Sequence, residues 1–182
     1  MCSAQDVDVL KVEQTQPGSR RPLVVALGLA LAVVVVDHLT KAWAVARLEL
    51  GPCSANPDGC IDVALGLRFH LVHNRGAAFS TGTELGPLFG VVALAMTVVL
   101  FNMARQRADR WTPIMLGVVA GGAIGNLIDR AARADDGILS GPVIDFIDLQ
   151  WWPVFNVADS AVVVGVIALV IYFFLEPDTT GD

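Results

Sequence analysis

The chain has 182 residues, of which 54% are apolar and only 16% charged, with a net charge of −6. A soluble domain carries roughly 25% charge, so much of this surface is expected to face lipid, and 12 basic residues against 18 acidic ones leave no basic face for nucleic acid. Cys2, Cys53 and Cys60 are too few for a disulfide scaffold, and no His/Cys set stands at zinc-ligand spacing.

In chain order, a polar tail (1–22) precedes an apolar run from Leu23 that continues through Asp37 and Lys41 to about Ala46. As a helix, that run crosses a hydrocarbon core of about 30 Å. Arg20 and Arg21 resemble the charged start of a signal peptide, but the run is too long for one and lacks a small-residue cleavage site. Further spans are predicted over Pro87 to Met103, Pro113 to Ile128 and about Ala158 to Leu175, followed by a tail (176–182). Arg20 and Arg21 before span one, and Arg105, Arg107 and Arg110 between spans two and three, set the orientation, because short cytoplasmic loops collect Lys and Arg. Both tails are then cytoplasmic, and the longer connections face outward. Within the first of these, an outer β-element is expected at about 47–86. Gly66 to His73 alternates in polarity as a half-buried strand does, and Gly51 to Gly59 is turn chemistry. Cys53, within that turn, and Cys60, just after it, are either bridged in an oxidising compartment or free thiols.

Ionisable groups at the edge of a span are costly and demand a reason. Asp37 falls roughly 21 Å along span one at 1.5 Å per residue, with Lys41 one turn beyond it. Asp129 and Arg130 close span three, Asp159 opens span four, and Asp145 lies in the loop between them. These acids gather at one depth. Each also has a structural reading: Asp37 and Lys41 as a self-neutralising i, i+4 pair, Asp129 and Arg130 as a wet helix end, and Asn156 with Asp159 as a capping box. Asp145, between Ile144 and Phe146, has no obvious local partner and is the strongest candidate for chemistry. Two carboxyls at a semi-dry site can share a proton, one activating water and the other polarising a carbonyl. The helix start favours the ionised form of Asp159, and a donor-poor loop favours the acid form of Asp145. No Gly-x-Ser-x-Gly elbow or His-Glu-x-x-His motif competes, and the small residues from Gly121 to Gly125 suit helix packing.

The segments Asp37-His38-Leu39-Thr40-Lys41, Asn74-Arg75-Gly76-Ala77-Ala78-Phe79-Ser80, Gly121 through Arg130, Val143-Ile144-Asp145-Phe146-Ile147 and Phe155-Asn156-Val157-Ala158-Asp159-Ser160 resemble, in order, those of bacterial lipoprotein signal peptidase, or signal peptidase II. The resemblance implies an all-α membrane protein, with a four-span peptidase domain at 23–175 and a small extracytoplasmic β-cradle. It implies an aspartyl endopeptidase that cuts prolipoproteins before a diacylglyceryl-modified cysteine, using Asp145 and Asp159 and neither cofactor nor metal. Asp37, Lys41, Asn74, Gly76, Asn126, Asp129, Arg130, Asn156 and Ala158 would bind substrate or support the pair, in the bacterial inner membrane near its outer surface. Membrane lipid would be its other partner, and nucleic acid none. Asp129 is the alternative partner in the pair. His38 stands where glutamine is common, and the connection from Asp145 to Asp159 is short and carries Trp151-Trp152-Pro153. The competing reading is a small transporter or proton-conducting subunit. It requires ionisable groups at several depths, and spans two and four are nearly bare of them.

Overall fold

The computed structural model describes residues 20–50, 53, 59–76, 86–134 and 137–175. Nearly all of the predicted N-terminal tail, the tail 176–182, much of the predicted turn at 51–59 and the motif residues 77–80 lie outside them. Among the described residues, four helices are long and apolar enough to cross a membrane: α1 (Arg21–Arg47), α2 (Gly86–Gln106), α3 (Trp111–Ala132) and α4 (Val157–Leu175). Each predicted span is present; the first three extend one to four residues further at both ends, and the fourth begins one residue earlier and ends at Leu175 as expected.

Helix α3 is the centre of the bundle and packs against the other three. Its small residues explain why. A Cβ on Gly117 would collide with the backbone of Ala26, on Gly121 with Ala30 and Val33, and on Gly122 with the carbonyl of Ala158. Bare glycine faces let neighbouring backbones approach in lipid, where packing replaces the hydrophobic effect as the force that joins helices. A buried cluster of Ala26, Leu100, Ala104, Leu116, Val119 and Ala120 fills the space between α1, α2 and α3. The outward faces stay apolar and exposed, with Leu31, Val98 and Val164 among many examples.

A three-stranded antiparallel sheet, ordered β1 (Ile61–Ala64), β2 (Leu67–Asn74) and β3 (Val143–Asp148), caps the bundle end where α1 and α3 finish and α2 and α4 begin. Leu65 and Gly66 turn β1 into β2, both with positive φ (52° and 83°), as a two-residue hairpin whose twist matches its strands requires. Ala44 of α1, Leu48 just after it, and Leu71, Ile144 and Phe146 of the sheet form a second core, with the Trp43 ring edge-on to Phe69 at 5.1 Å. Cys53 and Cys60 are joined in a disulfide. The predicted half-buried strand is β2. Asp145, by contrast, was expected in a loop and lies on β3, a strand buried on both faces. Such a strand reads as a continuous apolar run rather than an alternating one.

Candidate active site

Two local structures bring the acids together. Strand β3 turns back at once: the Gln150 amide donates to Asp148 Oδ1 (2.7 Å) with Gln150 at φ 66°, and Phe155 then pairs with Ile147 through N–H···O bonds of 3.0 and 2.8 Å. This short return places Asn156 beside Asp145. Helix α4 starts there with a reciprocal cap, in which the Asp159 amide donates to Asn156 Oδ1 (2.9 Å) and the Asn156 amide to Asp159 Oδ2 (3.1 Å). The predicted capping box is therefore present, and it fixes the Asp159 carboxylate.

The carboxyls are held by side-chain amides. Asn156 Nδ2 donates to Asp145 Oδ1 at 2.7 Å, and Asn74 Nδ2 to Asp145 Oδ2 at 2.9 Å. Asn74 lies opposite Val143 in the β2–β3 register, so Asp145 is its diagonal neighbour on the same sheet face. Asn126 Nδ2 donates to Asp159 Oδ1 at 2.7 Å, while Asn126 Oδ1 accepts from Lys41 Nζ (3.0 Å) and Asn156 Nδ2 (3.0 Å). The expectation that Asp145 lacks donors is thus overturned, because both of its donors come from distant segments. Burial first and the neighbouring Asp159 second still push its carboxyl up to about 7, against the pull of the two amides. Asp145 is buried, whereas Asp159 is only partly so.

Beneath this pair, Lys41 Nζ lies 2.8 Å from both Asp37 Oδ2 and Asp129 Oδ2. Asp37 Oδ1 accepts the Ala158 amide (3.0 Å), which ties α1 to the first turn of α4. Asp129 also accepts from Arg133 Nε and the Ile144 amide, both at 3.3 Å. Asp37 and Lys41 are therefore more than a self-neutralising pair, and Asp129 and Arg130 are buried rather than a wet helix end. Arg130 donates through Nη2 to the Gly76 carbonyl (3.0 Å) and lies 6.0 Å from the Phe89 ring centroid. Its buried Nη1 has no hydrogen-bond partner among the described residues.

Asp145, Asp159, Asn74, Gly76, Asn126 and Arg130 line one cleft of about 270 Å³, whose remaining wall is Val143 and Trp152 to Phe155. Asp37, Lys41, Asp129, Asn156 and Ala158 stand behind it: Lys41 and Asn156 bond directly to wall residues, Asp37 and Asp129 bond to Lys41, and the Ala158 amide bonds to Asp37. The sequence reading missed the wall from Trp152 to Val154 and the Phe89 ring, neither of which carries a spacing or charge signal. Cys53 and Cys60 lie near His70, but their sulfurs are bonded to each other and are not available as thiolate ligands.

Four apolar helices capped by a sheet, with two carboxyls in one cleft at their junction, define a multi-pass membrane protein with a paired-acid site. The family model described as signal peptidase (SPase) II matches residues 29–175. Similar proteins include the lipoprotein signal peptidases of Rhodococcus jostii (strain RHA1), 41% identical over 91% of this chain and 81% of that one, and of Mycobacterium avium (strain 104), 40% identical over 92% and 90%. A solved bacterial membrane enzyme shares the fold, with a TM-score of 0.72 and 24% identity over 87% of this chain and 93% of that one. The chain belongs to the signal peptidase II family and is a multi-pass bacterial membrane protease.

Proposed function

We propose that the chain, a signal peptidase II that removes signal peptides from prolipoproteins, cleaves with Asp145 and Asp159 just before a diacylglyceryl-modified cysteine. The observation that carries this reading is the placement of both carboxyls in one cleft, each held by asparagine amides and one of them raised to about 7. At neutral pH such a carboxyl is a ready acid. Asp145 donates its proton towards the scissile carbonyl oxygen, and Asp159, fixed by Asn126 and the helix cap, takes a proton from the attacking water. The tetrahedral intermediate then collapses as Asp159 gives its proton to the leaving amine and Asp145 takes back the hydroxyl proton, which re-forms the carbonyl and restores the starting pair. Arg130 and Asn126, both in the cleft wall, supply donors for substrate backbone carbonyls, and Lys41, Asp37 and Asp129 hold the supporting frame.

The site lies near the outer leaflet surface of the inner membrane with both termini cytoplasmic, on the basic residues that flank α1 and join α2 to α3. The test is incubation of the detergent-purified protein with a diacylglyceryl-modified prolipoprotein, read as a gel shift. Wild type should release the signal peptide, while Asp145→Asn and Asp159→Asn should insert normally and release none. Full activity in either variant would exclude the pair, and activity lost to a chelator and restored by zinc would exclude the aspartyl mechanism.

A further inference from the structure

A second hollow, of about 370 Å³, opens beside the cleft and shares Trp152, Phe155 and Asp159 with it. Its other walls are Leu149, Trp151, Val163 and Val164, with Ser160 at the edge. Its size is within the roughly 300–1,000 Å³ that ligand pockets occupy. Trp151 and Trp152 are 77% and 55% exposed and pack edge-to-face at 5.8 Å. The short return from β3 to α4 thus displays two indoles instead of burying them. Val163 is four residues beyond Asp159, on the same helix face and roughly 6 Å further along the axis. The hollow therefore runs from the carboxyl pair along α4 towards the lipid-facing surface.

The two hollows differ in chemistry. Asn74, Asn126, Arg130 and the Gly76 backbone give the cleft hydrogen-bonding groups suited to a peptide, whereas the second hollow is almost wholly apolar. We propose that the second hollow seats an acyl chain of the diacylglyceryl group on the substrate cysteine. This rests on the cleavage reading above: the modified cysteine directly follows the scissile bond, so its chains must leave the cleft within a few atoms of the carboxyl pair. The wall shared through Asp159, Phe155 and Trp152 is an apolar exit at that point. Bilayer tails are as apolar as the hollow, so moving a chain from one to the other contributes little affinity. The hollow acts instead as a register stop that sets which peptide bond meets the carboxyls, and its loss is expected in kcat more than in KM.

Val163→Trp and Val164→Trp fill the hollow from the lipid side and replace none of the residues that bind or cut the peptide. With a dipalmitoyl-glyceryl prolipoprotein, each variant should lose about tenfold or more in kcat. With a dibutyryl-glyceryl analogue, both should match wild type, which also shows that they fold. An equal loss on both substrates, or no loss on either, overturns the acyl seat. A dipalmitoyl substrate carrying a mid-chain diazirine, bound to the full-length protein and irradiated, should label residues between 149 and 164. Label on α2, or spread over all lipid-facing helices, overturns it as well. Failure of wild type to cleave either substrate would instead overturn the parent reading.

Discussion

Lys41 brings three ammonium hydrogens to three acceptors, Asp37, Asp129 and Asn126, at 2.8, 2.8 and 3.0 Å. It is 2% exposed, so its charge is retained in the interior only because these partners replace water. Lys41→Met would remove the cation that Asp37 and Asp129 share, leaving Asp129 only the more exposed Arg133, and breaking such a cluster costs on the order of 3–5 kcal/mol. A lower melting temperature and a poor yield of folded protein are expected, partly restored by adding Asp37→Asn. Unchanged melting would contradict the supporting role. Asp145 gives a prediction of a different kind. Its carboxyl ionises near 3.8 when unfolded and at about 7 in the fold, so between those values the native chain holds a proton that the unfolded chain has released. Its contribution to stability is fully present below pH 4 and is lost as pH rises through about 7. Melting temperatures recorded from pH 5 to 8 should fall in wild type and change less in Asp145→Asn. Turnover should fall along the same alkaline limb as the acid form disappears.

At the scale of helices, α3 is defined by what it lacks. A Cβ on Gly122 would strike the Ala158 carbonyl and Val162, whereas one on Gly28 of α1 meets nothing within 4 Å. Gly28→Ala should be neutral or gain up to about 1 kcal/mol from helix propensity. Gly122→Ala should cost about 1–3 kcal/mol through overpacking and also shift the start of α4, where Ala158 and Asp159 are anchored. Thermal melts of the two variants, with cleavage assays alongside, check both effects. Equal melting temperatures would show that α3 and α4 have room that the fold does not suggest.

For the whole molecule, the orientation proposed above, with the sheet outside and both termini inside, makes testable demands on each end. Arg107 lies 5.4 Å from the Phe173 ring centroid and Arg110 4.7 Å from that of Trp111, at the bundle end opposite the sheet. Basic groups on aromatic faces suit the cytoplasmic interface. The Cys53–Cys60 disulfide beside the sheet is in keeping with that orientation, because disulfides persist in oxidising compartments. In intact cells, an impermeant thiol reagent should label Cys53 and Cys60 from outside only after reduction. A C-terminal reporter that functions only in the cytoplasm should be active. Labelling without reductant, or an inactive reporter, would reverse one half of this topology.

The residues alone determined the number of spans, their order and the depth at which Asp37, Asp129 and Asp159 gather, because hydropathy and the cost of charge in lipid act locally along the chain. The capping box of Asn156 and Asp159 was legible for the same reason, since both partners sit within one turn. Strand β3 was not recognised, because a strand buried on both faces has no alternation to read. The donors to Asp145 were also hidden: Asn74 reaches it across the sheet and Asn156 through the return from Ile147 to Phe155. Nor could the sequence choose between bridged and free thiols, which depends on how closely the chain around β1 brings the two cysteines. Tertiary structure decided these points because a sheet diagonal, a buried charge cluster and a shared cleft wall are distances between segments, and linear spacing does not encode them.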